Sequence, residues 1–71
     1  MKTIKVRLLR AQDILGGPVE WYFRRAVDNH LESVAFKSKG EAMAWMLSTK
    51  VDGKSYELAH EEVHNVPKTK P

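Results

Sequence analysis

The sequence predicts a small α+β domain: an antiparallel sheet of three to four strands with one helix packed on one face, in the order β-β-β-α-β, the last element being a strand or a helix. Three observations carry this expectation. Ile4, Val6 and Leu8 alternate with Thr3, Lys5 and Arg7, the period-two pattern of a half-buried strand. Val19, Trp21 and Phe23 repeat the alternation with aromatic and β-branched residues, which suit a pleated surface. In the second half, Ser38 and Glu41 match a capping box, in which a serine oxygen and a glutamate carboxylate satisfy backbone donors at a helix start.

The first strand is expected over Lys2 to Leu8, followed by a loop from about Ala11 to Pro18, because Gly16, Gly17 and Pro18 break the chain. The strand around Trp21 leads to Asp28-Asn29, residues that tolerate a left-handed turn, and a further strand from His30 to Phe36 would close a hairpin. In the helix, Ala42, Met43, Met46 and Leu47 recur at helical spacing with Trp45 at their flank, so this face is expected on the sheet. Val51-Asp52-Gly53-Lys54 ends the helical pattern. Between Ser55 and Val66 the signals compete: Tyr56, Ala59, Val63 and Val66 follow a helical stripe, whereas Tyr56 and Leu58 begin an alternation. A strand is preferred, because it completes an open sheet beside a single helix.

With 71 residues the chain forms one domain, expected over 1–66, with 67–71 as a flexible polar tail. A chain this short buries only about 60% of the surface exposed on unfolding, too little to wall a deep catalytic pocket easily. There is no cysteine, hence no disulfide or thiolate ligand, which fits a reducing compartment. No apolar run nears the roughly 20 residues of a membrane helix, and the basic start does not lead into a continuous apolar region, so no signal peptide or membrane partner is expected and the expected location is cytoplasmic. The charge is uneven: Lys2, Lys5, Arg7 and Arg10 have no acid among them, whereas Ser55 to Val66 carries Glu57, Glu61 and Glu62 and no Lys or Arg. Such polarity suits an acidic partner, and it is equally the pattern of a solvated surface with complementary ends.

One motif names a chemistry outright. His60-Glu61-Glu62-Val63-His64 matches H-E-x-x-H, which on a helix places two zinc ligands on one face with a glutamate to activate the metal-bound water. A catalytic zinc takes a third protein ligand, and no His, Asp or Glu follows His64. On a strand, moreover, His60 and His64 would stand about 13 Å apart and share no metal. No metal and no cofactor are therefore expected, zinc-dependent hydrolysis is the remote alternative, and an enzyme is not expected. No phosphate-binding glycine loop and no nucleophile-elbow serine are present.

A second constellation is quieter. If Ile4, Val6, Leu8, Trp21 and Phe23 pack under the helix, then Lys5, Arg7, Tyr22 and Arg24 share the opposite face of the sheet, with Arg10 and Arg25 beside them. Cations around an aromatic on an uncovered face can grip an acidic protein surface, the first expectation, or phosphates and bases, the second. An ordinary charged outer face carries the same residues. A sheet with an uncovered face or free edge can also complete itself as a homodimer.

The run Trp21-Tyr22-Phe23, a turn, Phe36-Lys37-Ser38-Lys39-Gly40-Glu41-Ala42 and then Tyr56-Glu57-Leu58 resembles, over residues 19–66, the layout of small phage-encoded host-takeover proteins, among them inhibitors of bacterial RNA polymerase. The resemblance implies a charged patch that occludes a host enzyme, and no functional residue of that family maps onto a position here. The layout is also similar to the three-stranded, one-helix DNA-binding domains of phage integrases, which would make Arg7, Arg24 and Arg25 contacts to DNA. The long first loop and the acidic C-terminal segment depart from that pattern.

Overall fold

Strand β1, Thr3–Gln12, is the spine of a mixed five-stranded sheet. The computed structural model describes residues 3–13 and 16–67. On one side β1 pairs antiparallel with β2, Glu20–Arg25; on the other it pairs parallel with β4, Lys54–Leu58, along its first half and with β5, His64–Pro67, along its second. Helix α1, Lys39–Ser48, precedes β3, Lys50–Val51, a two-residue strand antiparallel to β4. The expected α+β class and single helix hold among the described residues, while the sheet is mixed rather than antiparallel and has a different strand order.

β1 extends four residues past the expected end at Leu8, and Lys2 lies outside the described residues. The Leu8-Leu9 pair ends the alternation because the far half of β1 is buried on both faces: Val6, Leu8, Leu9 and Ala11 are all buried. Leu9 lies in register between Tyr22 and His64, and Ala11 between Glu20 and Val66, so neighbours on both sides shield the outer face there.

The expected third strand, His30 to Phe36, is reduced to two antiparallel bridges, Arg24 with Leu31 and Trp21 with Phe36. Four residues, 32–35, span what Tyr22 and Phe23 span on β2, so this segment bulges away. A ladder hole results, and Ser33 fills it: the Phe23 amide donates to Ser33 Oγ at 2.9 Å, and the hydroxyl donates in turn to the Val34 carbonyl at 2.9 Å. The Glu32 amide donates to the Phe23 carbonyl at 3.0 Å, so both backbone groups of Phe23 are satisfied by the irregular segment. The turn before it behaves as the Asp-Asn pair predicts: Asn29 sits at φ 62°, and Asp28 Oδ1 accepts from the His30 amide at 3.0 Å.

Helix α1 starts where the cap places it, with Ser38 Oγ accepting from the Glu41 amide at 3.1 Å. The reciprocal bond is shifted by one residue, since Glu41 Oε2 accepts from the Lys37 amide, 3.2 Å away. The buried stripe is rotated from the expected one. Ala42 and Met46 are buried and Met43 is partly so, but Leu47 is 75% exposed. Trp45, expected at the flank, is the hub of the core, with its ring centroid 5.6 Å from Phe23, 5.8 Å from Phe36 and 5.0 Å from Tyr56. Large faces and offset geometry let one indole replace what an aliphatic ridge would supply.

The segment 55–66 is strand, not helix, but it is divided. Leu58 pairs with Val6 and His64 with Leu9, so five residues, 59–63, oppose only Arg7 and Leu8. Both interruptions, 32–35 on one side and 59–63 on the other, therefore stand level with the Leu8–Phe23 rung, whose two side chains are almost wholly buried. Pro67, expected in the tail, is part of β5 opposite Gln12; residues 68–71 of the expected tail lie outside the described residues.

Candidate binding face

Register decides which of the predicted residues share a face. Arg7 pairs with Arg24 and Leu9 with Tyr22 across β1 and β2, on the side of the sheet away from Val6, Leu8 and Phe23. Helix α1 covers the other side, so Arg7, Tyr22 and Arg24 stand together as expected. Two neighbouring arginines repel, and the turn after β2 offsets this: Arg24 Nη1 donates to the Asn29 carbonyl at 3.0 Å, and Arg7 Nη2 donates to Asn29 Oδ1 at 3.4 Å. Arg24 also lies over the Tyr22 ring, 5.4 Å from its centroid. Neither guanidinium has a carboxylate partner among the described residues. The Arg7 Nε is buried without a hydrogen-bond partner.

The other three predicted binding residues are placed differently. Lys5 shares the face, but it is ion-paired with Glu57, its in-register neighbour on β4, so its charge is offset. Arg10 belongs to the helix side, in register with Trp21 and 5.9 Å from that ring. Arg25 is on the helix side too, bonded through Nε to Glu32 Oε1 at 2.6 Å and through Nη1 to Asp28 Oδ2 at 3.3 Å. The alternation itself signals this correction, since Arg10 has the parity of Val6 and Leu8, and Arg25 that of Trp21 and Phe23. The hydrogen bond that Arg25 donates to Glu32 raises the Arg25 pKa above its ordinary value. Tyr56 donates to Glu32 Oε2 at 3.4 Å, and its pKa is raised as well, first by burial and then by the Glu32 charge.

Beside the arginines runs a groove of about 240 Å³ between β2 and the bulged segment, lined by Glu20, Tyr22, Arg24, Leu31, Val34 and Ala35, with Ser33 at its floor. Leu31 is 50% exposed and Val34 72%. Leu31 and Val34 are not among the expected site residues, because 30–36 is expected as a hairpin strand whose imperfect alternation leaves its register open. The available signal was the apolar spacing Leu31, Val34, Phe36, which no single strand face can bury.

The H-E-x-x-H segment forms the second interruption and is not helical. His60 and His64, expected about 13 Å apart on a strand, have their ring centroids 6.0 Å apart, because the five-residue bulge folds the chain back. Among the described residues no group of three or more His, Asp or Glu is placed to hold a metal, so the third ligand of a catalytic zinc is missing there. No helix among the described residues is long and apolar enough to cross a membrane. No protein-family model, curated protein or solved structure significantly matches the chain.

Proposed function

We propose that this chain is a binding module without catalytic activity that grips an acidic protein surface through the outer face of its sheet. One observation carries the reading: Arg7 and Arg24 are adjacent and without a carboxylate partner among the described residues, and Arg24 lines the groove that also holds Tyr22, Leu31 and Val34. Guanidinium groups present planar donor forks that suit carboxylates, and Asn29 holds both in place before a partner arrives. A partner segment with acidic residues around one large apolar side chain would use both features, with the anchor in the groove and the acids on the arginines. Blocking a host enzyme by covering its acidic surface is the use we propose for this face, from the resemblance over residues 19–66.

Nucleic acid is the weaker occupant of the same face. Base stacking needs an open aromatic surface, and one face of Tyr22 is already taken by Arg24. The exposed Leu31 and Val34 contribute nothing to phosphate binding.

A synthetic peptide of glutamates around a central phenylalanine, titrated into isotope-labelled protein, tests the reading. The expected result is saturable shifts at Arg7, Tyr22, Arg24 and Leu31, lost in the Arg7→Glu, Arg24→Glu double variant. Equal binding by that variant would refute the proposed face. Stronger binding of a duplex or single-stranded oligonucleotide, with affinity falling steeply as salt rises, would favour nucleic acid.

A further inference from the structure

We infer that the bulge between β4 and β5 binds a late first-row divalent metal ion, Zn²⁺ or Cu²⁺, through the imidazoles of His60 and His64. His64 stands beside Leu9 on the same outer face as Arg7, but the site uses neither arginine and implies no hydrolysis.

The distance between the rings carries the inference. A ligating nitrogen lies about 2.0–2.1 Å from zinc and about 1.1 Å from its own ring centre, so the ion stands about 3.2 Å from each centroid. Two rings on one ion are then about 5.2 Å apart at the tetrahedral angle and about 6.4 Å apart when opposed. The observed separation is 6.0 Å, with the planes inclined by 69°. On a regular strand the pair would be about twice that distance apart. It is the five-residue bulge opposite Arg7 and Leu8 that brings the rings within reach of one ion.

A second observation points the same way. His64 Nε2 is buried and has no hydrogen-bond partner, an unsatisfied polar atom of the kind that costs stability until something bonds to it. An ion bound through Nε2 would supply that bond. The cleft is lined by Ala59, His60, Glu61, Glu62 and His64, and both glutamates are exposed. Two imidazoles completed by water, with no thiolate, favour Cu²⁺ over Zn²⁺ and both over Mg²⁺. The bound ion would fasten the bulge and hold β4 and β5 as one edge of the sheet.

The test uses the full chain without a histidine tag, stripped of metal, and ZnCl₂ as the probe. The expected result is a one-to-one saturable shift of resonances confined to 58–65 and a melting temperature that rises with zinc, as mass action requires. MgCl₂ should do neither, and CuCl₂ should bind more tightly than zinc by calorimetry. His60→Ala is the main variant, because His60 is exposed and its removal leaves the fold intact; it should weaken zinc binding at least tenfold, as should His64→Gln. No saturable shift with millimolar zinc would overturn the inference. So would unchanged affinity in His60→Ala, which would assign binding elsewhere, for example to His30.

Discussion

Replacing Ser33 with alanine should unfold this protein at a distinctly lower temperature, although the substitution removes a single oxygen atom. Ser33 is 8% exposed, and its Oγ accepts the amide of Phe23, whose side chain is fully buried in the Leu8–Phe23 rung. Four residues oppose two at this point, so no carbonyl of the bulged segment stands where a regular ladder would put one, and the hydroxyl stands in for it. Alanine fills nearly the same volume, leaving no cavity, and the Val34 carbonyl that loses its donor belongs to an exposed residue that water can reach. The cost is therefore that of an orphaned buried amide, about 1–3 kcal/mol. A chain of this length has a total stability of about 4–11 kcal/mol at the usual value per residue. The variant should still fold, with a loss near 2 kcal/mol lowering its melting temperature by about 8–16 °C. Urea denaturation followed by tryptophan fluorescence gives the free energy, and amide exchange at Phe23 gives the local effect. Val34→Ala, at a residue 72% exposed, is the control and should change stability by less than about 0.5 kcal/mol. A cost below about 0.5 kcal/mol for Ser33→Ala, with the Phe23 amide as protected as before, would refute the role of the hydroxyl as its acceptor.

Two further outcomes test the packing and its ionisation. Trp45→Ala should cost about 3–5 kcal/mol and bring the chain to the edge of unfolding, whereas Leu47→Ala, two positions along the same helix, should change little; comparable losses in circular-dichroism melts would contradict the helix orientation. Alkaline pH should destabilise the fold through Tyr56. Its folded pKa is raised above the ordinary 10.0, so the unfolded chain releases that proton first, and the stability present below pH 10 is lost as pH climbs through the folded value. Tyr56→Phe should be less stable at neutral pH, through the lost bond to Glu32, but should show a flatter decline above pH 10; parallel curves for the two proteins would remove Tyr56 as the cause.

Much of the local structure was legible. The helix start follows from Ser38 and Glu41, the turn from Asp28-Asn29, and the first two strands from their alternation, because each depends on residues that are neighbours in sequence. The Arg7, Tyr22 and Arg24 face was legible for the same reason, since side-chain direction along a strand is fixed by parity. That same rule excludes Arg10 and Arg25 from the face, and their positive charge masked its signal.

What the sequence by itself determined is therefore the class, the single helix among the described residues, and the parity of the arginine face. The tertiary structure alone decided strand direction and the two interruptions at the Leu8–Phe23 rung. Parallel pairing of β4 and β5 with β1 depends on partners about 50 residues away, and neither periodicity nor turn chemistry encodes such a distant match. The interruptions arise where the hydrogen-bonding demands of β1 and β2 meet segments longer than the strand they oppose, so the surplus residues are expelled as bulges. One bulge opens the apolar groove beside Arg24, and the other draws His60 and His64 together. Both candidate sites thus depend on a mismatch of lengths that exists only once the strands have paired.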